Sequence, residues 1–422
     1  MTVHVIGAGL AGLAASVRLA AKNERVILYE SSPQAGGRCR SFVDKTLGRV
    51  IDNGNHLLLS GNGSTLDYLD LIGARDALIG HAEARFPFHD LRNGRRWTIR
   101  INDGRLPFWI MDPNNRVPDS RASHYLAAIK LATASETKTV AECLQSPNVL
   151  WDRFWDPMAT AILNTPADIA SAKLLWAAMK ESFSRGGKSC RPLIARESLA
   201  AALVDPALTF LVQGRADLFF SQRLRAFDVD RYVKTLHFHD LAVALDPGDQ
   251  VILAVPPSQA KELVPTIDVP HESHAIVNAH FKLPMPARLP GRSMLMGLVG
   301  GAAQWLFLRD QMASLTVSAA DKLAEQPSDV IAEILWSETA RALGHPDEAM
   351  PPYRIIKEKR ATFSQTPDAI AKRPSANTRW PNLHLAGDWT DTGLPATIEG
   401  AIRSGNKAAD RVLETQNYMS SR

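Results

Sequence analysis

The sequence predicts an α/β fold, in which a Rossmann-like domain is assembled from discontinuous segments and a mixed α+β domain is inserted between them. Three observations support this prediction. A glycine-rich turn joins a short apolar run to a helical pattern at the start of the chain. The same strand-and-helix texture returns near the middle and at the end. Two regions of different character separate these three parts.

The first thirty residues predict a strand, a helix and a second strand. Residues 3–6 and 26–29 are short continuous apolar runs, as expected for parallel strands that are covered on both faces. Between them Leu13, Val17 and Ala20 recur at helical spacing. Asn23 suits the left-handed position that ends a helix. This order is typical of the first βαβ unit of a doubly wound sheet.

Later segments repeat these signals. Residues 231–257 predict a hairpin, a Pro-Gly turn and a buried strand at 251–255, and residues 328–343 predict a helix that Gly344 ends. The chain closes with a strand in "LHLAG", a helix from Pro395 onward and a frayed tail over residues 416–422. We therefore expect a nucleotide-binding domain of residues 1–84, 214–265 and 356–422, and a substrate-binding domain of residues 85–213 and 266–355.

Composition places the chain among ordinary globular proteins. Its 422 residues suffice for two or three domains, and 45% are hydrophobic and 22% charged. No apolar run reaches membrane-spanning length, and no signal peptide is expected. The three cysteines, Cys39, Cys143 and Cys190, are far apart and odd in number, which favours a reduced cytoplasmic protein. With a net charge of +4 and no basic run with interleaved aromatics, nucleic acid is not an expected partner.

The first glycines predict a nucleotide site. Gly7, Gly9 and Gly12 form G-x-G-x-x-G between a strand and a helix, where they permit a tight turn, close approach to a pyrophosphate and close helix packing. The helix N-terminus then faces the phosphates. Glu30 ends the second strand, where its carboxylate can accept hydrogen bonds from a ribose. The same acid disfavours a 2′-phosphate, so NADP is not expected.

The next residues, "SSPQAGGRCRSF", add a glycine pair and Arg38, whose guanidinium can meet a pyrophosphate. With this spacing from Glu30, the sequence resembles FAD oxidoreductases of the amine oxidase and phytoene desaturase superfamily. In such enzymes the chain returns at its end to close on the flavin. Gly387 and Asp388 match the carboxyl-terminal motif. The resemblance implies a helix start at Pro395 whose N–H groups face the flavin pyrimidine, and a backbone contact from Val233 to adenine.

The resemblance thus implies that FAD is bound without a covalent link. The expected contacts are Gly7, Ala8, Gly9, Leu10, Ala11, Gly12, Glu30, Ser31, Gly36, Gly37, Arg38, Asn53, Gly54, Asn55, Val233, Gly387, Asp388, Pro395, Ala396, Thr397 and Ile398. His237 and His239 lie two apart on a predicted strand but match no recognised ligand spacing, so no metal site is expected.

Four further stretches narrow the resemblance. "IDNGNHLLLSGN", "AILNTPADIASAKLLW", "KEKRATFSQTP" and "AGDWTDTGLPATIEGAIRSG" are similar to the hydroxysqualene dehydroxylase family, the squalene-associated FAD enzymes of bacterial hopanoid pathways. Two features depart from the pattern: Asn55 replaces an expected glutamine, and "RPLIARESLAAAL" lacks an expected glycine. The resemblance implies reductive removal of an allylic hydroxyl, with hydride from reduced flavin reaching an allylic cation and squalene as the product.

The leaving hydroxyl needs a proton. His56 is the first candidate, because the "DNGNH" loop should lie beside the flavin and histidine titrates near neutrality. Asp52 and Asp391 are the other candidates, although either acid could instead brace a turn or a helix start. A hydrocarbon substrate needs apolar walls. Possible wall residues, each of which could equally belong to the core, are Trp151, Phe154, Trp155, Leu163, Leu174, Leu175, Trp176 and Met179.

Other functions stay open from the sequence. A carotenoid or phytoene desaturase would share the fold and cofactor but would use the flavin as an oxidant. An amine oxidase fits less well, and a flavin-binding scaffold could hand a triterpene to a neighbouring terpenoid-pathway enzyme without catalysis. A water-insoluble triterpene substrate implies peripheral attachment to the inner face of the cell membrane by a cytoplasmic protein.

Overall fold

A computed structural model describes residues 1–420. Its strands, in chain order, are β1 (Thr2–Ile6), β2 (Arg25–Tyr29), β3 (Ser41–Asp44), β4 (Arg49–Asp52), β5 (Leu58–Leu59), β6 (Leu78–Gly80), β7 (Ala84–Asp90), β8 (Arg95–Ile101), β9 (Pro192–Ala195), β10 (Asp217–Phe219), β11 (Ala226–Val229), β12 (Val233–His237), β13 (Ala242–Ala244), β14 (Gln250–Leu253), β15 (Ser273–Lys282), β16 (Leu295–Val299), β17 (Trp305–Arg309), β18 (Met312–Val317), β19 (Tyr353–Phe363) and β20 (Leu383–Leu385).

The α-helices are α1 (Leu10–Ala20), α2 (Gly63–Leu71), α3 (Ala128–Ala132), α4 (Val140–Leu144), α5 (Asp156–Leu163), α6 (Ala172–Glu181), α7 (Leu199–Leu203), α8 (Asp205–Gln213), α9 (Pro257–Leu263), α10 (Asp321–Ala324), α11 (Ser328–Leu343), α12 (Pro367–Ala371) and α13 (Ile398–Ser420). A π-helical turn over Trp151–Trp155 leads into α5. Among these elements, no helix has both the length and the apolar character needed to cross a bilayer.

The nucleotide-binding architecture is a parallel sheet with the strand order β10-β2-β1-β14-β20. Alternate residues of its strands point to opposite faces, so each apolar run contributes to two cores. Val3 and Val5 pack with α1 and α13 on one face. Ile6 and Leu253 pack against the three-stranded sheet β11-β12-β13 on the other. This double cover explains why the strands are continuously hydrophobic.

A second sheet has seven strands in the order β19-β15-β18-β17-β16-β7-β8. Its pairs are antiparallel except for β16 with β7. Helix α11 packs on it through Ile331 and Leu335. The helical segments α3 to α6 form a separate apolar core against β7 and β8. The seven-stranded sheet and these helices lie beside the carboxyl-terminal loop that precedes α13, as the hydrogen bonds below show.

Several predicted turns agree with the structure. Asn23 has a φ of 61° after α1, and Gly344 has a φ of 87° where α11 ends. The buried strand predicted at residues 251–255 is β14, which ends two residues earlier. The final helix begins at Ile398, three residues after Pro395, so Pro395 does not lie in its first turn as predicted. Of the predicted tail at residues 416–422, the backbone is helical through Ser420, and the last two residues lie outside the described range.

The predicted domain division can be compared with the sheets. The five parallel strands come from all three segments assigned to nucleotide binding. Strand β19 crosses the boundary drawn at residue 356 and belongs to the seven-stranded sheet. Helices α7 and α8, which the sequence division placed with the substrate domain, pack in the core of the parallel sheet. The division by residue number stays a proposal.

Candidate functional site

A glycine turn joins β1 to α1 at the carboxyl end of the parallel sheet. Gly7 has a φ of +107°, and a Cβ there would lie 2.5 Å from the Ala254 oxygen. A Cβ at Gly12 would lie 1.8 Å from the Gly7 oxygen, whereas one at Gly9 would meet no atom within 4 Å. Within residues 1–420 the N–H groups of Ala11 and Gly12 have no hydrogen-bond acceptor. Gly7 and Gly12 are thus required for packing. Gly9 leaves open space in front of the N-terminus of α1, where the free N–H groups and the helix dipole favour an anion.

The predicted ribose acid lies directly beside this turn. One carboxylate oxygen of Glu30 accepts the Ala8 N–H at 2.7 Å, and the other accepts the Ser32 N–H at 2.8 Å and the Ser31 hydroxyl at 3.1 Å. These bonds fix the carboxylate at the end of β2. Each carboxylate oxygen can accept more than one hydrogen bond, so Glu30 retains capacity for ribose hydroxyls.

The glycine pair that follows Glu30 packs against the first glycine turn. The Gly36 N–H donates to the Ala8 carbonyl at 2.8 Å. A Cβ at Gly37 would lie 3.3 Å from the Cα of Gly9. The two loops therefore form one continuous backbone surface, and the predicted contacts from both lie on it.

Arg38 extends from this surface to the other end of the chain. Its Nη2 donates to Asp388 Oδ1 at 2.8 Å, and its Nη1 donates to the Ala361 carbonyl at 2.5 Å. The Asp388 side chain is buried, whereas 44% of the Arg38 side chain is accessible. Asp388 raises the pKa of Arg38, so the guanidinium stays charged. An accessible, positioned cation beside a glycine turn is suited to a pyrophosphate.

The loop from Gly387 to Leu394 is organised by a residue that the sequence analysis did not identify. Buried Arg373 donates to the carbonyls of Leu394 at 2.8 Å, Asp388 at 3.1 Å and Thr390 at 2.5 Å, and to the Thr392 hydroxyl at 3.1 Å. Burial lowers its pKa. One guanidinium therefore fixes the loop that carries Asp388. Arg373 is a single arginine in a polar segment and belongs to no motif, so its role could not be predicted from the sequence.

Gln365 is a second residue that the sequence analysis did not single out. Its side-chain oxygen accepts the Ala396 N–H at 2.9 Å, and its side-chain nitrogen donates to the Leu163 carbonyl at 2.5 Å. Its backbone N–H donates to the Thr165 hydroxyl at 2.9 Å. This fully buried amide joins the "AILNTP" segment to the residues that precede α13. The stretch "FSQTP" belongs to the family resemblance, but the role of its glutamine depends on contacts with residues that are distant in the chain.

The predicted flavin-facing N–H groups divide into two kinds. The Ala396 N–H is already bonded to Gln365. The N–H groups of Thr397 and Ile398 have no acceptor within the described part of the chain. Because α13 starts at Ile398, these free donors belong to the N-terminus of that helix, and Pro395 lies before it. They fit the electron-rich edge of a flavin.

The "DNGNH" loop packs against the seven-stranded sheet. The Asn53 side chain donates to Glu358 Oε2 at 3.2 Å, and the Asn55 N–H donates to Asn278 Oδ1 at 3.4 Å. A Cβ at Gly54 would lie 3.2 Å from the Asn278 side chain. These contacts fix the backbone that leads to the next residue, His56.

His56 is the predicted acid whose ring nitrogens are free. Its side chain is partly accessible, and no hydrogen bond to it is found within residues 1–420. The pKa of His56 is lowered to about 4, chiefly by burial; the Asp52 charge raises it and the Arg38 charge lowers it by smaller amounts. The ring is therefore partly accessible and carries no hydrogen bond from the described residues. At neutral pH the imidazole is uncharged and can donate or accept one hydrogen bond.

The structure corrects the role predicted for Asp52. One oxygen accepts the Ser41 hydroxyl at 2.7 Å and the Leu199 N–H at 2.8 Å, and the other pairs with Arg309 at 2.7 Å. The side chain is buried. A carboxylate that is paired with a guanidinium and bonded at both oxygens is a structural junction between β4, α7 and β17, and it is not placed to donate a proton.

Asp391 is also corrected. The residue is exposed, and its Oδ1 accepts the Gly393 N–H at 3.2 Å in a local turn. An exposed, turn-forming carboxylate lacks the enclosed setting that a proton donor to a hydrocarbon substrate requires. The alternative role given to Asp391 from the sequence, bracing the approach to the last helix, agrees with this contact.

Val233 does not lie where an adenine contact requires. Its N–H donates to Asn382 Oδ1 at 2.9 Å and its carbonyl accepts from Asn382 Nδ2 at 3.0 Å. Asn382 also bonds the carbonyl of Asp249, which precedes β14. Val233 therefore lies at the amino ends of the parallel strands, opposite the glycine turn, and both of its backbone groups are occupied.

Leu224 has the properties that were expected of Val233. It lies just before β11, on the segment where the Gln222 N–H donates to the Glu30 carbonyl at 2.8 Å. In the described chain, neither its N–H nor its carbonyl has a hydrogen-bond partner, although its side chain is buried. We propose Leu224 in place of Val233 as the adenine contact. Free backbone groups cannot be recognised in a sequence, which explains why this position was missed.

These features together fit FAD. The glycine turn and Arg38 suit a pyrophosphate, Glu30 suits a ribose, and the start of α13 suits a flavin edge. All are at the carboxyl end of the parallel sheet, where such ligands bind. Over the same described residues, no group of three or more His, Cys, Asp or Glu side chains is arranged to hold a metal ion.

The chain is similar to known flavoproteins. Residues 10–413 match the family of flavin containing amine oxidoreductases. A hydroxysqualene dehydroxylase from Rhodopseudomonas palustris is 46% identical, with 98% of each chain covered. One from Sinorhizobium fredii is 42% identical, covering 98% of this chain and 99% of that protein. A cyclohexylamine oxidase from Brevibacterium oxydans shares the fold, with a TM-score of 0.71, 15% identity and 99% coverage of both chains. The chain is therefore an FAD-dependent oxidoreductase and belongs to the hydroxysqualene dehydroxylase family of the flavin-containing amine oxidoreductases.

Proposed function

We propose that the protein catalyses the FAD-dependent reductive dehydroxylation of hydroxysqualene to squalene in hopanoid or triterpenoid biosynthesis. One observation carries the proposal: the His56 ring is partly accessible and its nitrogens are free. His56 ends the "DNGNH" loop, in which the Asn53 side chain donates to the Arg38 carbonyl. The likeness along the whole chain to relatives of that name supports it.

The surroundings of His56 suit a hydrocarbon. Leu57 and Leu59 pack against the apolar core formed by α3 to α6 and strands β7 and β8. That core contains six of the eight predicted wall residues as buried members, and Trp151 and Trp176 pack at its edge. Removing apolar surface from water stabilises binding by roughly 0.8 kcal/mol per CH₂. A long isoprenoid can therefore bind with few polar contacts, and its hydroxyl needs only one polar partner.

The reaction requires that the C–O bond break, that the hydroxyl leave as water after gaining a proton, and that a hydride reach carbon. Reduced FAD supplies the hydride and is oxidised by two electrons. The chain supplies the remaining functions. His56 would bind the hydroxyl through a ring nitrogen, and the apolar core would hold the carbon skeleton and exclude bulk water. The buried amide of Gln365 and the Arg373 guanidinium would hold the loop before α13 rigid.

The lowered pKa of His56 determines how the proton arrives. With a pKa of about 4, only a small fraction of the rings is protonated at neutral pH. If protonated His56 is the acid, the single-turnover rate should rise about tenfold for each pH unit from 7 down to 5. His56→Gln should remove this pH dependence, and an exposed-site control, His239→Gln, should retain it.

The test is an anaerobic single turnover. The bound flavin is reduced, detergent-solubilised hydroxysqualene is added, and flavin absorbance and squalene are followed together. We expect oxidised flavin and squalene to form in equal amounts. If neither forms, the proposed function is wrong. Turnover of phytoene by the oxidised flavin would instead favour a desaturase-like enzyme, and tight triterpene binding without any turnover would favour a non-catalytic triterpene-binding flavoprotein.

The location of this activity follows from the substrate. A triterpene partitions into lipid, so we propose that the protein acts on the cytoplasmic side of the cell membrane, attached peripherally. The proposal includes neighbouring terpenoid-pathway enzymes as partners that supply or accept the hydrocarbon. Comparing soluble and membrane fractions of cells, before and after a high-salt wash, measures the attachment. Recovery of all the protein in the soluble fraction at low salt would oppose it.

A further inference from the structure

Large apolar side chains are exposed together on one short part of the chain. Two 3₁₀ turns, Phe108–Met111 and Ala122–Ala127, lie before and at the start of α3. The exposed fractions are between 58% and 66% for Leu106, Phe108, Met111, Leu126 and Ile129. We call these five side chains the apolar patch. Clustered exposed side chains of this size are unusual on a protein surface and indicate an interaction site.

The patch is held in place by buried contacts beneath it. The rings of Trp109 and Tyr125 pack edge to face, with centroids 5.2 Å apart. The Tyr125 hydroxyl accepts the Val117 N–H at 3.0 Å. These contacts join the Phe108–Met111 turn to the segment that carries Leu126. The exposed side chains are therefore presented on a braced surface.

Basic residues surround the patch. Arg105, Arg121 and Lys130 are exposed, and no ion pair to them is found in residues 1–420. Of the nearby acids, Asp119 is paired with Arg95 and Arg153. Asp103 is paired with Arg191, and in the described chain Asp112 accepts only from the Asn114 N–H and the Asn115 side chain. Three unpaired basic side chains against one unpaired carboxylate leave the edge of the patch with a net positive charge. A basic rim around protruding apolar side chains is complementary to a bilayer with anionic headgroups.

The patch is continuous with the apolar core near the proposed substrate site. Ile110, Tyr125 and Leu131, which lie within two residues of patch residues in the chain, are buried members of that core. Leu57, the neighbour of His56, packs against the same core. Apolar packing therefore extends from the exposed patch to the ring that is proposed to bind the hydroxyl.

From these observations we infer that the apolar patch inserts into the headgroup region of an anionic bilayer and that the substrate enters from that membrane between the patch and the core. The lipid surface is favoured over a second copy of the chain, because a twofold contact would bring the two basic rims together. The entry of substrate rests on the proposed function, whereas membrane insertion does not.

The first test is sedimentation of the FAD-loaded full chain with vesicles made of equal parts of phosphatidylglycerol and phosphatidylcholine. We expect binding by the wild type and a loss of roughly tenfold in partitioning for each large side chain removed, in Phe108→Ser and in Ile129→Ser. Val43→Ser and Met285→Ser are matched controls, since those side chains are 69% and 73% exposed elsewhere. Equal binding by patch and control variants would overturn the inference.

Charge provides an independent variant set. Replacing Arg105, Arg121 and Lys130 together by Glu should abolish binding to the anionic vesicles. The wild type should likewise not bind vesicles made of phosphatidylcholine alone. All variants are compared by FAD content, so that a folding defect is recognised. If the wild type does not bind either kind of vesicle and instead forms a dimer that Phe108→Ser dissociates, the patch is a protein interface and the inference is wrong.

The second test separates this inference from the proposed function. Hydroxysqualene is delivered either in detergent or embedded in the anionic vesicles. Patch variants should turn over the detergent-delivered substrate at the wild-type rate and the vesicle-embedded substrate at least tenfold more slowly. Absence of turnover in detergent by the wild type contradicts the proposed function alone. Equal vesicle-delivered rates for wild type and patch variants contradict the route of entry.

Discussion

Arg38 Nη2 lies 2.8 Å from Asp388 Oδ1, although 350 residues separate the two in sequence. The same guanidinium donates to the carbonyl of Ala361. Three parts of the chain therefore meet at one side chain: the loop after β2, the end of β19 and the loop before α13. The two halves of the proposed FAD site are held together by this contact.

Asp388→Asn should weaken FAD binding. A charge-assisted hydrogen bond contributes about 1.5–3 kcal/mol, and the exposure of Arg38 reduces this to roughly 1 kcal/mol, or a fivefold to tenfold higher Kd. Fluorescence titration of the apoprotein with FAD measures it. Arg38→Lys should have a similar effect, and the double variant should be less than additive because both changes remove the same bond. Fully additive effects would show that the two side chains act separately.

Gly9 and Gly12 should respond differently to the same substitution. Gly12→Ala places a Cβ 1.8 Å from the Gly7 oxygen and should destabilise the protein even without FAD, by roughly 1–3 kcal/mol. Gly9→Ala meets no atom within 4 Å, so the apoprotein should keep its stability while FAD affinity falls. Urea unfolding of the apoprotein and FAD titration distinguish the two effects. A destabilised Gly9→Ala apoprotein would contradict this assignment.

Gln365→Leu should lower FAD affinity and stability together. The substitution leaves the buried Ala396 N–H without its acceptor, at about 1–3 kcal/mol, whereas the Leu163 carbonyl keeps the Thr165 hydroxyl as a donor. Thermal unfolding and FAD retention on gel filtration provide the measurements. Gln326→Leu is the matched control, because Gln326 is exposed. An unaltered melting temperature for Gln365→Leu would exclude the bridging role.

Stability should decrease as the pH falls from about 6.5 to about 4. Burial lowers the pKa of His56, His280 and His384 to about 4 each, from 6.5 in an exposed histidine. In this window the unfolded chain takes up protons that the folded protein does not, so protonation favours unfolding; above pH 6.5 both states are neutral and the effect disappears. At pH 5 each ring contributes a loss of roughly 2 kcal/mol.

A single variant isolates the contribution of His56. His56→Gln should reduce the loss of melting temperature between pH 7 and pH 5 but not abolish it, because His4, His89, His280 and His384 also have lowered pKa values. His239→Gln, at an exposed position, should leave the pH profile unchanged. Melting curves of the FAD-loaded protein across this range decide the matter. Identical profiles for wild type and His56→Gln would contradict the lowered pKa of His56.

Features that depend on neighbouring residues could be predicted from the amino-acid sequence. The positions of Gly7, Gly9 and Gly12, the acid Glu30 and the helix end at Asn23 could be predicted, because turn geometry and strand or helix periodicity are local properties of the chain. The relation between Arg38 and the "LAGDW" segment could be predicted only through the family resemblance. The start of the last helix was placed three residues too early, since Pro395 suggested a first turn that the fold does not form there.

Only the tertiary structure decided the features that depend on contacts between distant segments. The sequence made Asp52 a candidate acid, but in the fold one of its oxygens accepts the Leu199 N–H and the other pairs with Arg309. Arg373 and Gln365 gained their roles from loops that pack around them, and Leu224 gained its proposed role from backbone groups left free. The pKa of His56 and the exposure of the apolar patch likewise result from packing density, which is a property of the folded chain and not of its residue order.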